Sequence, residues 1–302
     1  MSGEIVLVSS WVNHPEMMKL HRDLWVQAFL GESVRYIVYI DAKDYPDQSN
    51  LNDPSIRMKL INECVEHNIE FHLVAEEFHR NRGLIIPNCH VISDNKPSAR
   101  DVLVCHMAWR DQVLQNPNVK RIGLIQPDIF PYRRVNWNDI TRGSEFYYKP
   151  QQRNTLSYAW NGLCLFSIET WTQTMKELVD FQDGFQKGIF TDSGGGLWKL
   201  METLPKAKQH GWSGYSSYEL TSRSGTPDLP YWIMEHLRAD PRNKVDADGF
   251  ILYYSELQDN WCFHLRAGCN WDGAGKEIHD ARYSNLLRFL KDALDDDSAF
   301  FI

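Results

Sequence analysis

Apolar runs alternate with helical patterns along the first part of the chain. The runs are short and rich in β-branched residues, as in buried strands, whereas the segments between them repeat apolar positions every three or four residues, as in helices. The predicted strands are residues 4–10, 34–40, 69–74 and 120–125, and the predicted helices are residues 14–30, 55–67 and 94–115. Because this alternation is typical of a parallel sheet with crossover helices, the pattern predicts an α/β fold.

The remainder of the chain has a less regular pattern. Its predicted elements are strands at residues 158–166 and 250–254, helices at 169–179 and 281–294, and a glycine-rich turn at 191–196 that opens a helix to about residue 203. Residues 130–150 are predicted to form an irregular connection or a short hairpin, and residues 209–230 a mobile loop. Neither a repeat nor a linker composition interrupts the sequence, which predicts a single domain over residues 1–302.

Composition narrows the class of protein. Apolar residues make up 43% and charged residues 24% of the 302 positions, which excludes wholesale disorder. Since no apolar run reaches the roughly 18 residues of a membrane span and residues 1–12 lack a signal-peptide pattern, we expect no membrane span and a cytoplasmic location. The net charge of −8 argues against a nucleic-acid partner.

Cysteine and aromatic usage add two expectations. The six cysteines form no C-x-x-C pair, which favours reduced thiols over a disulfide framework or a zinc site. Aromatic residues make up 13% of the chain, and flat rings are surfaces on which sugars and nucleobases stack.

Two carboxylates follow predicted strands. The simplest dinucleotide, NTPase, hydrolase and metalloprotease fingerprints are absent, so the ends of the strands are the first places to search for a site. Asp41 follows the strand at 34–40, and Asp128 follows the strand at 120–125. A carboxylate held at such a position can bind a divalent cation that bridges two phosphates, although Pro127-Asp128 is also ordinary turn chemistry.

A histidine motif near the end of the chain offers a second ligand. His264 is followed by Arg266, and the segment continues to Trp271 as HLRAGCNW. An imidazole can complete a metal site that a carboxylate begins, and a guanidinium can bind phosphate through two hydrogen bonds. The alternative is a structural histidine beside Phe263.

The order of these motifs resembles that of GT-A nucleotide-sugar glycosyltransferases. IGLIQPDIF looks like the strand that carries a D-x-D motif, with Gln126 at the first acidic position and Asp128 at the second. HLRAGCNW is similar to the H-x-x-G-x-K-P-W motif of the glycogenin-like branch, with one extra residue before the glycine and Asn270 in place of Lys-Pro. Trp160-Asn161-Gly162 looks like the strand that faces the donor sugar. The resemblance spans roughly residues 5–271.

This resemblance implies a fold and a set of site residues. The implied fold is a Rossmann-type mixed, mostly parallel sheet flanked by helices, with a nucleotide-binding half at about 1–130 and an acceptor-binding half at about 131–302. Asp128 and His264 would hold Mn²⁺ or Mg²⁺. The implied nucleotide-sugar contacts are Ser9, Ser10, Trp11 and Asp41 at the base and ribose, Arg100 and Arg266 at the diphosphate, and Asn161 and Gly162 at the donor sugar. Trp11 could equally be a core residue.

The glycine-rich turn TDSGGG contains a candidate base. Asp192 is positioned to take a proton from an acceptor hydroxyl in a direct displacement, and the glycines would let the backbone approach a ligand. Helix capping by Asp192 is the alternative. The candidates for an acceptor platform, or for ordinary packing, are Trp198, Trp212, Tyr215 and Tyr218.

The sequence therefore predicts a metal-assisted glycosyltransferase. Its partners would be a nucleoside-diphosphate sugar, with a UDP-sugar favoured, and a carbohydrate acceptor. One alternative is a non-catalytic, transferase-like module that binds carbohydrate. A second is a Rossmann-like methyltransferase. The first strand-to-helix turn, SSWVNHP, argues against it because this turn offers no glycine-rich cradle.

Overall fold

A computed structural model describes residues 4–29, 31–41, 54–81, 83, 85–86, 97–223, 227–266, 275–294 and 301. Its strands are β1 Ile5–Trp11, β2 Val34–Ile40, β3 Glu70–Leu73, β4 Arg121–Ile125, β5 Ile129–Pro131, β6 Phe146–Arg153, β7 Leu156–Ser167, β8 Gly184–Gln186, β9 Ile189–Thr191, β10 Gln209–Gly211, β11 Gly214–Tyr215, β12 Lys244–Val245, β13 Ile251–Leu252, β14 Glu256–Gln258 and β15 Cys262–His264. Its helices are α1 Pro15–Ala28, α2 Pro54–Glu66, α3 Glu76–Arg80, α4 Pro97–Trp109, α5 Trp137–Thr141, α6 Gln173–Glu177, α7 Trp198–Thr203, α8 Tyr231–Ala239 and α9 Lys276–Leu294.

A seven-stranded sheet forms the centre of the described fold, in the order β10-β6-β7-β4-β1-β2-β3. β1 pairs in parallel with β2 and β4, and β7 is antiparallel to both of its neighbours. The chain passes from β1 to β2 and β3 on one side, whereas β4 lies on the other side of β1. The strand order therefore reverses between β1 and β4, where α/β sheets bind their ligands outside the carboxyl ends.

The central strands are buried on both faces. Ile5, Val6, Leu7 and Val8 of β1 are all nearly inaccessible to solvent, and α4 contributes its apolar side chains to the same core. In β4, a Cβ at Gly123 would lie 2.7 Å from a Leu7 methyl group, so that position has no room for a side chain. Near-continuous apolar strands of this kind are typical of parallel sheets.

The chain divides into two compact units. Unit 1 comprises Met1–Arg22, Gly31–Gln126 and Asn136–Trp212, and it contains the seven-stranded sheet. Unit 2 comprises Asp23–Leu30, Pro127–Val135 and Ser213–Ile302. Unit 2 contains a four-stranded sheet in the order β11-β14-β15-β5, together with α8 packed against α9. The division into a nucleotide half and an acceptor half stays a prediction.

The predicted fold class is confirmed, since the described chain is α/β with a mixed, mostly parallel sheet. The second half is more regular than expected. Residues 130–150 include most of β5, all of α5 and the start of β6, and residues 209–230 include β10 and β11. β6 is hard to recognise because its part beyond Tyr148 pairs only with β7, and such an edge tolerates Pro150. α8 was not predicted.

Among the helices whose ranges are given above, none combines the length and the apolar character that crossing a bilayer requires.

The glycine-rich turn packs against its own unit. Gly194 has a φ of 87°, and a Cβ there would overlap the carbonyl oxygen of Ala159 in β7. A Cβ at Gly196 would lie 2.5 Å from the carboxyl carbon of Asp180. The glycines are therefore needed for contact with the chain's own backbone and side chains. This corrects the expectation that they leave room for a ligand.

We expect Gly194→Ala to destabilise unit 1, because the added methyl group meets backbone and the residue requires a positive φ. A loss of about 2 kcal/mol or more corresponds to a fall in Tm of roughly 4 °C or more. Gly211→Ala is the control, since its Cβ would have its nearest neighbour at an ordinary 3.5 Å. Thermal unfolding of both variants checks this, and equal Tm values would show that the turn is not packed as described.

Candidate active site

Asp128 and His264 meet in unit 2. β5 and β15 are antiparallel, with Ile129 opposite His264, and the Leu265 backbone N–H donates to the Asp128 carbonyl at 2.8 Å. This register brings His264 Nε2 to 3.7 Å from Asp128 Oδ2, with both side chains buried. The two residues predicted as metal ligands are therefore neighbours, although their role as ligands stays a prediction.

Glu256 holds the other side of the imidazole. It lies opposite His264 in the β14–β15 pair, and its Oε2 is 2.9 Å from His264 Nδ1. Gln258 Nε2 donates to the same carboxylate oxygen at 3.0 Å. Burial lowers the pKa of His264, but Asp128 and Glu256 outweigh this effect and raise it to about 9. Sequence reasoning missed Glu256, which only the hairpin register of ELQDNWCFH could have indicated.

This donor set fits a divalent cation. A carboxylate oxygen and an imidazole nitrogen face each other, and the second ring nitrogen is held by another carboxylate, as in most histidine metal ligands. Over the described ranges, only Glu63, Glu66 and His67, at the end of α2 and directly after it, form a cluster of three possible ligands. The Asp128–His264 pair therefore offers two protein ligands, a number typical of Mg²⁺ sites that substrate phosphates complete.

Arg266 lies beside this pair, in an arginine cluster around Tyr254. The guanidinium carbons of Arg242, Arg266 and Arg282 are 3.9, 4.7 and 4.9 Å from the Tyr254 ring centroid. Arg282 is buried and binds Asp240, whereas the Arg266 side chain is 39% exposed. Arg266 is thus more accessible to an anion than Arg282. Gly268, Cys269, Asn270 and Trp271 of the motif lie outside the described residues.

At the switch point in unit 1, three predicted residues have different environments. Ser10 lines a small cavity of about 20 Å³ with Asp101, Gln126 and Asn161, which is room for one water molecule. Ser9 is buried beside it in β1. Trp11 is completely buried, with its ring edge-on to His21 at 5.5 Å. Full burial favours the core role of Trp11 over stacking on a base.

Asp41 and Arg100 form an ion pair in unit 1. Asp41 Oδ2 accepts from Arg100 Nε at 2.9 Å, and Oδ1 contacts His79 Nε2 at 2.5 Å. All three side chains are buried. Burial raises the pKa of Asp41, but Arg100 and His79 hold it below its ordinary value. The structure therefore brings together the predicted ribose and diphosphate contacts and pairs them with each other.

Asp101 is a carboxylate that sequence reasoning missed. Its Oδ2 accepts from Asn161 Nδ2 at 2.8 Å and from Gln126 Nε2 at 3.4 Å. Burial is the main reason that the pKa of Asp101 rises to about 6, and the negative charge of Asp192 contributes. Its position inside the helical pattern of α4 gave no signal that it would face a strand end.

Asn161 and Gly162 have partners within unit 1. The amide of Asn161 hydrogen-bonds to Asp101, and the indole of Trp160 fills the space that a Cβ on Gly162 would need. Gly162 is thus required by the packing of a neighbouring side chain. Donor-sugar contacts at these two residues stay a prediction.

Asp192 is exposed, and it does not cap a helix. Its Oδ1 accepts from the adjacent Ser193 N–H at 2.9 Å, and Gly194 is the residue that precedes the 3₁₀ turn Gly195–Leu197. Its own N–H lies 3.5 Å from the Tyr158 hydroxyl. The capping alternative is therefore wrong, while the role as base stays a prediction.

The four candidate platform residues do not share one environment. Trp212 is buried and stacks on Tyr147, with ring centroids 6.0 Å apart, so it belongs to the core. Trp198 is partly buried in unit 1. Tyr215 is exposed and Tyr218 is partly buried in unit 2.

Comparisons with known proteins give distant structural similarity alone. No protein family and no curated protein matches the chain. The galactosyltransferase LgtC, in complex with donor and acceptor sugar analogs, is 10% identical over 69% of this chain and 72% of that chain, with a TM-score of 0.36. Mouse xyloside xylosyltransferase 1 is 8% identical over 69% of this chain and 84% of that chain, with a TM-score of 0.40. Such a likeness does not decide the activity of this chain.

The raised pKa of Asp101 predicts a pH-dependent effect of Asp101→Asn. The folded protein binds this proton more tightly than the unfolded chain, so ionisation destabilises the fold as the pH rises from about 4 through about 6. We expect the stability of Asp101→Asn relative to wild type to increase by about 2 to 3 kcal/mol between pH 4 and pH 7.

Thermal unfolding at several pH values measures this difference. Asp139→Asn, at an exposed position in α5, is the matched control. If the stability difference between Asp101→Asn and wild type does not change with pH, the pKa of Asp101 is not raised in the folded protein.

Proposed function

We propose that the protein is a GT-A-like glycosyltransferase that moves a sugar from a nucleoside-diphosphate sugar to a carbohydrate acceptor. The observation that carries the proposal is the contact between Asp128 and His264, with Glu256 on the far side of the imidazole. The sequence motifs predicted the first two residues as a pair of ligands. A carboxylate and an imidazole with a supporting carboxylate are suited to a divalent cation that binds a diphosphate.

The sheet of unit 1 supports a nucleotide-binding role. Its strand order reverses between β1 and β4. Near this point, polar side chains from β1 and β7 meet Gln126, which directly follows β4. Asp41 directly follows β2, and Arg100 lies near the start of α4. Their side chains form a buried ion pair. We assign the nucleoside, with uracil favoured, to this edge of unit 1.

The proposed chemistry is a direct displacement. A bound Mn²⁺ or Mg²⁺ would stabilise the negative charge of the departing diphosphate. Asp128 and His264 would hold that cation, and Arg266 would bind a phosphate oxygen. The exposed carboxylate of Asp192 would accept the proton of the attacking acceptor hydroxyl.

We expect Asp128→Ala and His264→Ala to lower donor turnover by about 100-fold or more, because each removes one of two protein ligands of the cation. Hydrolysis of UDP- and GDP-sugars with Mn²⁺, and again after EDTA treatment, measures the effect. Asp139→Ala is the control, and unchanged Tm values separate loss of the site from loss of the fold. Full turnover in both site variants would remove the metal site from the proposal.

Asp192→Asn tests the base separately. We expect transfer to an acceptor to fall by about 10²- to 10⁴-fold, because the amide cannot take the hydroxyl proton. Donor binding measured by calorimetry should stay unchanged. NMR of the anomeric proton should show inversion in the wild-type product, and a retained configuration would contradict the role of Asp192.

A non-catalytic carbohydrate-binding module is the second candidate. Gln126 stands at the first acidic position of the D-x-D-like motif, and its amide donates to Asp101. A module of this kind would bind saccharides and ignore nucleotides. Calorimetry with UDP and with simple glycosides distinguishes the two candidates.

A further inference from the structure

A second cleft opens in unit 1, away from the small cavity at the switch point. It has a volume of about 260 Å³ and lies among the β6–β7 turn, the β8–β9 hairpin and α7. Its polar and aromatic wall is formed by Thr155, Ser157, Lys187, Trp198, Glu202 and Lys206. Of the four candidates for an acceptor platform, Trp198 lines this cleft.

Trp198 gives this cleft an aromatic wall of fixed orientation. Its indole N–H donates to Gln186 Oε1 at 3.1 Å, and the Lys187 ammonium lies 3.8 Å from the ring centroid. Both partners come from the β8–β9 hairpin, so the hairpin and the ring are held together. Lys187 covers one face of the indole, and the other face of such a flat, oriented ring suits the apolar C–H face of a sugar.

The cleft carries two lysines against one carboxylate. Lys187 binds Glu202 at 2.7 Å. For Lys206, the contact within the described residues is a weak one of 3.5 Å to the Met201 carbonyl. One ammonium therefore stays available, in a chain with a net charge of −8. This local excess of positive charge favours an anionic ligand over a neutral one.

The backbone at Lys187 is held in an unfavourable conformation. Lys187 and Gly188 form the two-residue turn of the hairpin, with φ values of 48° and 77°. Asparagine, aspartate or glycine is the usual residue at the first of these positions. A lysine there places its side chain over Trp198 and against Glu202. Residues with an unfavourable backbone conformation are often found where ligands are held.

The β8–β9 hairpin connects the cleft to Asp192 within the same unit. Ile189 lines the cleft three residues before Asp192, a separation of at most about 11 Å along an extended chain. Tyr158, next to the cleft residue Ser157, has its hydroxyl 3.5 Å from the Asp192 N–H. A saccharide of two or three rings with one end in the cleft is long enough to span this separation.

We propose that this cleft binds an acidic sugar ring of the acceptor, of the uronic acid class, with the ring on Trp198 and its carboxylate on Lys206. The description of this sugar as part of an acceptor rests on the proposed function. Binding of the acidic ring itself does not, and it can be measured without a donor.

Methyl β-D-glucuronide and methyl β-D-glucoside form a matched pair of probes, because they differ only at C6. In saturation-transfer NMR titrations of the full chain, we expect the glucuronide to bind about tenfold more tightly. Lys206→Gln should reduce this preference to about twofold or less, because the ammonium is lost. The free energy of unfolding should change little, since the position is exposed. Trp198→Phe should weaken both glycosides by a similar factor.

Two control variants change nearby groups that do not line the cleft. Lys208→Gln removes a lysine that binds Glu145, and Phe185→Ser removes an aromatic ring that is 69% exposed on the same hairpin. Both should keep the preference for the glucuronide. Equal binding of the two glycosides, no binding of either, or an unchanged preference in Lys206→Gln would overturn the inference.

The two proposals fail in different ways. Glucuronide binding without turnover of any sugar nucleotide would contradict glycosyl transfer and leave the cleft as a saccharide site. Turnover of a sugar nucleotide without a Lys206-dependent preference would support glycosyl transfer and remove the acidic subsite.

Discussion

Burial of β1 and β4 on both faces is the constraint on which unit 1 depends. A strand covered on each side can carry few polar groups along its length, because each would lose water without gaining a partner. Polar side chains therefore collect where the strands end. Ser10, Gln126 and Asp41 are such residues, and the start of α4 adds Arg100 and Asp101 to the same edge.

Charged partners hold the buried ionisable side chains of Asp41 in unit 1 and His264 in unit 2. Asp41 lies between Arg100 and His79, and His264 lies between Asp128 and Glu256. A buried carboxylate without such partners would be strongly destabilising. Asp101 differs, since amides and not cations face it, and burial raises its pKa. The pKa values of Asp41 and Asp101 are thus shifted in opposite directions for structural reasons.

The aromatic residues serve the core more than any ligand. Trp11, Trp25, Trp109, Trp137, Trp212 and Trp232 are among the largest completely buried side chains. Ring pairs such as Phe146 and Phe166, 4.8 Å apart, fill the space between the sheet and its helices. The aromatic content therefore overstated the surface available for stacking. Trp198 is a tryptophan that both borders a cleft and has a fixed orientation.

The sequence by itself determined the α/β class, the strands of the first half and the polar positions that follow them. These follow from local hydrophobic periodicity, which a few neighbouring residues are enough to define. It also identified Asp128 and His264 as a pair, through the order of motifs. The sequence could not show which side chains contact each site residue. The contacts of Glu256 and Asp101 and the packing of Gly162 depend on strand register and on contacts between distant segments.

The same reason explains the errors. β6 contains Pro150 and polar residues, and its part beyond Tyr148 becomes a strand only because β7 pairs with it. The glycines at 194–196 carry a strong sequence signal, but the atoms they make room for belong to β7 and to the segment around Asp180. Local sequence determined where the chain turns and where it carries charge. Only the tertiary structure decided which of those charges meet, because side-chain pairing is set by non-local contacts.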